Sequence, residues 1–260
     1  MSEKKSPNDN ITNAKKNDYV VNKLLLVFTV AFALILFLMN IGRMMKSNTT
    51  YIGALTATRV LAGLAAAGVV LGIVLSIVEH VRGKDTRCKL IKGKNIAVIS
   101  AFIAVVAGAL AFVYNPTMLF VLYVFVPAVV VLYIIYYSYP REFFMIALAA
   151  ALGGIGIWLV AYGIINASRT VFLGIVAAIV LLLAVFTAAA HIGKGKFKLF
   201  GHEYTPFKSD ARYGIVYLSF VLVLAVVAAA LIIADMANYF VFGLLGYIII
   251  AAIYYTIKLI

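Results

Sequence analysis

The sequence predicts an all-α, polytopic integral membrane bundle of about eight transmembrane helices, with both termini on the cytoplasmic side. Three observations predict it. Of 260 residues, 65% are hydrophobic and 12% are charged, whereas a soluble domain is about 45–50% apolar and about 25% charged. A fold in water has nowhere to hide that much apolar surface, so the bilayer must be part of its solvent. The apolar residues also fall into runs close to the ~20 residues that carry a helix across a hydrocarbon core ~30 Å thick. Finally, Arg82, Lys84, Arg87, Lys89, Lys92 and Lys94 crowd one stretch between two of these runs, with Asp85 as its only acid. Short loops rich in Lys and Arg resist translocation. This stretch is therefore expected inside, and it sets the sense of every other segment.

Residues 1–22 are polar, rich in Asn, Lys and Ser, and without an apolar period. They read as a disordered cytoplasmic tail ahead of a single transmembrane domain over 23–260. The first run, 24–41, is too long for a signal-peptide core and no small-residue cleavage site follows it, so it reads as a retained span. The others lie at about 54–78, 96–114, 118–137, 143–164, 171–191, 213–233 and 239–257. Pro116 is expected to close a tight turn between the third and fourth. None shows the polar–apolar alternation of a barrel strand, so each must satisfy its backbone as a helix.

With the amino terminus inside, only Arg43, Lys46, Arg59 and Arg169 fall on the outer side. Tyr133, Tyr136, Tyr137, Tyr139, Tyr254 and Tyr255 mark inner helix ends, and Tyr239, Phe240 and Phe242 an outer one, as interfacial aromatic belts do. A weak echo links Glu79-His80 before one basic loop to Ala190-His191 before the other. Two parallel four-helix repeats, 23–138 and 139–260, would produce it.

The formal charge of +13 comes without a recognition motif, so no nucleic-acid partner is expected. The lone Cys88 makes no internal disulfide or zinc cluster. Arg59, one turn inside the second span, either snorkels to the interface or meets an anion. Asp235 is a turn residue within reach of Arg59 or Arg169. On the inner face Glu79, His80, His191, His202, Glu203 and Asp210 include zinc-favoured ligand types. Their adjacent pairs point ~100° apart on a helix, unlike the one-face spacing of HExxH. No cofactor, metal or catalytic residue is assigned.

Gly68, Gly72 and Ser76 recur every four residues on one face of the second span. Ala149, Gly153 and Gly156 make a similar strip in the fifth, and Gly243 and Gly246 in the eighth. Small residues let membrane helices approach closely, so these strips serve internal packing or face a partner. The six basic residues of the organising loop serve topology or attract anionic lipid. The leading functional expectation is a non-catalytic membrane subunit or scaffold that packs with other membrane proteins, with itself or with lipid. A transporter or permease component for a small apolar or lipid-like substrate is the alternative, favoured by an outward cavity lined by Arg59, Tyr114 and Tyr162. An enzyme at the cytoplasmic face is the third, favoured by convergence of His80, His191 and His202 near Glu203. Such compact loops suggest a bacterial cell membrane.

Overall fold

The computed structural model describes residues 7–47, 49–82, 93–112, 116–164, 168–193, 197–199, 202–204, 207 and 213–259. Among these residues, eight helices are long and apolar enough to cross a membrane. They are α1 (Pro7–Met45), α2 (Tyr51–Arg82), α3 (Gly93–Phe112), α4 (Pro116–Ser138), α5 (Arg141–Ala161), α6 (Arg169–Ile192), α7 (Tyr213–Ile232) and α8 (Ala237–Leu259). The chain is a multi-pass integral membrane protein. Every expected span falls on one helix to within a few residues.

Three local details depart from expectation. Residues 7–22, expected to be disordered, continue α1 as helix from Pro7. Proline suits the first helical position, where its missing N–H would have no partner. Extending a helix already started in the membrane also costs far less than nucleating one. Pro116 likewise opens α4, at that same favoured position, instead of sitting inside the turn. Between α6 and α7, β1 (Phe197–Leu199) pairs antiparallel with β2 (His202–Tyr204). The alternation of apolar and basic residues there fits a short two-stranded ribbon, so the all-α description applies to the membrane helices.

The end of α5 is fixed by a glycine. Gly163 has φ +61, the left-handed conformation that costs glycine nothing. Its N–H donates to Val160 O at 3.1 Å, and the N–H of Ile164 donates to Leu159 O at 3.0 Å. These two bonds form a Schellman stop and satisfy carbonyls the helix end would otherwise leave open.

The chain divides into two compact units, residues 1–130 and 131–260. In unit 1, α2 and α3 form the most extensive helix pair and α1 packs on α2. Ile41 and Met45 of α1 meet Ala54 of α2, and the Thr50 hydroxyl donates to Met44 O at 2.6 Å across their connection. In unit 2, α5 packs against α6, α7 and α8. Its core joins Phe143, Ile146, Ala149, Ala150 and Ile157 of α5 to Leu173 and Val180 of α6, Phe220, Val223 and Val227 of α7, and Leu244 and Tyr255 of α8.

Candidate functional site

In unit 1 the small-residue strip of α2 meets α3. A Cβ built on Gly68 would lie 2.6 Å from Ser100 Oγ, and one on Gly72 2.7 Å from Ala97 Cα. One on Gly93 would fall 2.7 Å from Gly72 O and against the backbone N of Ser76. The two helices are thus in antiparallel register, Ser76 by Gly93, Gly72 by Ala97 and Gly68 by Ser100, with backbones too close for side chains. The complementary strip on α3 escaped the sequence reading, although its own spacing, Gly93 to Ala97 and on to Ser100, was the available signal. Glu79 closes the seam: its Oε1 and Oε2 accept the Gly93 N–H at 3.2 and 3.3 Å. A carboxylate there meets the partial positive charge of the α3 N-terminus.

At the end of unit 1 that holds the C-terminus of α1 lies a cleft of about 390 Å³ between α1 and α4. Its apolar walls are Met39, Leu119 and Phe120, and Arg43, Lys46 and Tyr123 supply its polar groups. Gly42 makes the approach possible, since a Cβ there would sit 3.2 Å from Tyr123 Oη. The Tyr123 hydroxyl donates to Leu38 O at 3.2 Å and ties α4 to α1. Arg43 and Lys46 are exposed. Chemically, this is an apolar slot with two cations, the shape and charge that suit an anionic amphiphile.

In unit 2 polar and aromatic groups gather where α5 and α7 begin and α6 and α8 end. Glu142 is only 6% exposed and accepts the Tyr255 hydroxyl at 3.3 Å. His191 stacks on Tyr213 with ring centroids 4.2 Å apart, and its Nδ1 lies 3.3 Å from the Tyr217 hydroxyl. The Tyr213 hydroxyl is buried with no hydrogen-bond partner among the described residues, and Arg141 lies 3.8 Å over the Tyr136 ring. Glu142 falls just outside the span expected at 143–164. Its position in the first turn of α5, where the helix dipole favours an acid, was the only hint that it is buried.

No known protein family, curated protein or solved structure matches the chain.

The remaining predicted positions fall on separate elements. His80 lies in the last turn of α2 in unit 1, whereas His191 lies in unit 2. His202 and Glu203 are in β2, in backbone register with Leu199 and Lys198. Lys84, Arg87, Cys88, Lys89, Lys92, Tyr114 and Asp210 lie outside the described residues; Arg82 ends α2 and Lys94 is exposed in the first turn of α3. Arg59 is exposed on α2, and Tyr162 is exposed at the end of α5. Arg59 does not line the α1–α4 cleft. In α5, a Cβ on Gly153 would meet Val223 Cγ1 at 2.8 Å and one on Gly156 would meet Val176 Cγ2 at 2.8 Å, whereas Gly243 and Gly246 face open space. Among the described residues no three His, Cys, Asp or Glu side chains gather as a metal site.

Proposed function

We propose that this is a non-catalytic protein of a bacterial cell membrane, with both termini in the cytoplasm, that binds and organises anionic lipid at the α1–α4 cleft of unit 1. The observation that carries this reading is the pairing of apolar walls with Arg43 and Lys46 in one cleft. Under this topology those two cations lie on the outer side, where basic residues are disfavoured. Binding an anion is a reason to keep them there. The carboxylates of Glu79 and Glu142 support a non-catalytic role, because each already holds a structural hydrogen bond. Assembly with another membrane protein or a second copy belongs to the same reading, with lipid as the shared layer.

The test is native mass spectrometry from nanodiscs of mixed phosphatidylglycerol and phosphatidylcholine. Each basic residue near a charged surface contributes about 1 kcal/mol, so the double variant R43Q/K46Q should lose roughly thirty-fold in preference for the anionic lipid. An unchanged preference would remove the cleft from the argument. The same cleft also suits a carrier of lipid-like substrate. Transfer of labelled phosphatidylglycerol between leaflets of reconstituted vesicles, lost in that variant, would favour transport over static binding.

A further inference from the structure

A second cavity, of about 310 Å³, lies in unit 2 at the end where α6 and α8 begin. Its walls include Ile157, Leu173 and Ala230, and its polar groups are Arg169, Asp235 and Asn238. Pockets that take small molecules start at about this size and share this make-up, apolar walls with a few placed polar groups. Arg169 is the first residue of α6, and its Nε is buried with no hydrogen-bond partner among the described residues. That donor is not spent on Asp235, although both side chains line the same space. A buried guanidinium donor left open is costly unless something accepts from it.

The surroundings indicate what would. Helix α6 starts without a side-chain cap on its first turn, and Asn238 stands in the first turn of α8. The N-terminus of α6 therefore contributes backbone donors and partial positive charge to the cavity. With Arg169 it favours an anionic group such as phosphate or carboxylate. Asp235 argues against a simple anion, which it would repel, and favours a cationic amine a few bonds away. We infer that this cavity binds a zwitterionic group, an ammonium joined by a short chain to a phosphate, with Arg169 on the anion and Asp235 on the ammonium. The group is either the headgroup of phosphatidylethanolamine or a free solute of the same chemistry. The inference concerns the other unit and stands whether or not the α1–α4 cleft binds anionic lipid.

Two arms separate the sources. One measures retention of phosphatidylethanolamine against phosphatidylglycerol by native mass spectrometry from nanodiscs. The other titrates free phosphoethanolamine, with inorganic phosphate as comparison, against delipidated protein in detergent. At least one arm should show saturable binding that D235N and R169K each weaken tenfold or more. Preference for the lipid alone would assign a headgroup, and binding of the free zwitterion a solute. D235N is a change at an exposed side chain, so loss of fold does not cloud it. R169K keeps the charge and removes the buried Nε donor, and is read only where gel filtration matches the parent. Binding insensitive to D235N, inorganic phosphate bound as tightly as phosphoethanolamine, or no saturation in either arm would overturn the inference.

Discussion

In unit 1, α2 meets α3 backbone against backbone along a strip one residue wide, whereas in unit 2 α5 is wrapped by side chains from three helices. The numbers separate the two modes. Half of the most apolar stretch of α5 is buried, but only 11% of that of α2, although α2 and α3 form the more extensive pair. Lipid tails are as apolar as leucine, so burial in a bilayer gains little from leaving water, and association rests on packing quality. A glycine seam achieves that packing by removing side chains; a side-chain core achieves it by interlocking them. The modes should differ most in tolerance. A seam whose neighbour is backbone has nothing to rotate away, while a core neighbour has a rotamer to change.

Alanine at single glycines tests this most directly and with the largest expected effect. Gly72→Ala sets a methyl against the backbone of Ala97, so α2 and α3 must separate, at a cost of about 3 kcal/mol, the upper end for overpacking. Gly153→Ala meets a methyl of Val223, which can shift, and should cost about 1 kcal/mol. Gly243→Ala faces open space and should stabilise by about 0.5–1 kcal/mol, the ordinary gain of alanine over glycine in a helix. Reversible unfolding in mixed micelles would rank the three. If Gly72→Ala proves no worse than Gly153→Ala, the distinction between seam and core fails.

The helices themselves were legible in the sequence because span length and backbone satisfaction are read directly from apolar runs. The α2 strip was legible too, since a period of four in Gly68, Gly72 and Ser76 marks one helix face. Its partner was hidden: Gly93 and Lys94 belong by composition to the basic loop, so the eye assigns them to solvent, yet they open α3. Glu142 was hidden for a similar reason. Beside Pro140 and Arg141 it looks like turn chemistry, and only the packing of α8 over α5 takes it out of solvent. The cavity at Arg169 depends on residues from four helices and a turn, a juxtaposition no local spacing encodes. Asp235 and Arg169 were named as neighbours, but the sequence offered a pair where the structure has a space between helices.

The two units also differ in how each employs a carboxylate, and here effects are smaller. Glu142 is buried and serves a side chain, the Tyr255 hydroxyl. Glu142→Ala leaves that hydroxyl without its acceptor in a closed environment, at about 1–3 kcal/mol. Glu142→Gln keeps an acceptor oxygen and should cost less. A double-mutant cycle with Tyr255→Phe isolates the bond, and a coupling near zero would show that Glu142 matters through packing alone.

Glu79 serves backbone instead, and is expected to matter least. It reaches from α2 to the first N–H of α3, which makes it a cap supplied by a neighbouring helix. Caps contribute about 1 kcal/mol, and the interaction of the charge with the helix end is part of that sum. Glu79→Ala should therefore lower stability by about 1 kcal/mol and Glu79→Gln by less, since the amide oxygen still accepts. The location of the effect is more diagnostic than its size. The seam from Gly72 to Ala97 holds the rest of α3, so loss of the cap should speed hydrogen exchange at Gly93 and in the first turn and leave Ala97 to Ser100 protected. If protection is lost along all of α3, Glu79 is holding the two helices together, and the glycine seam contributes less to unit 1 than its close approach implies.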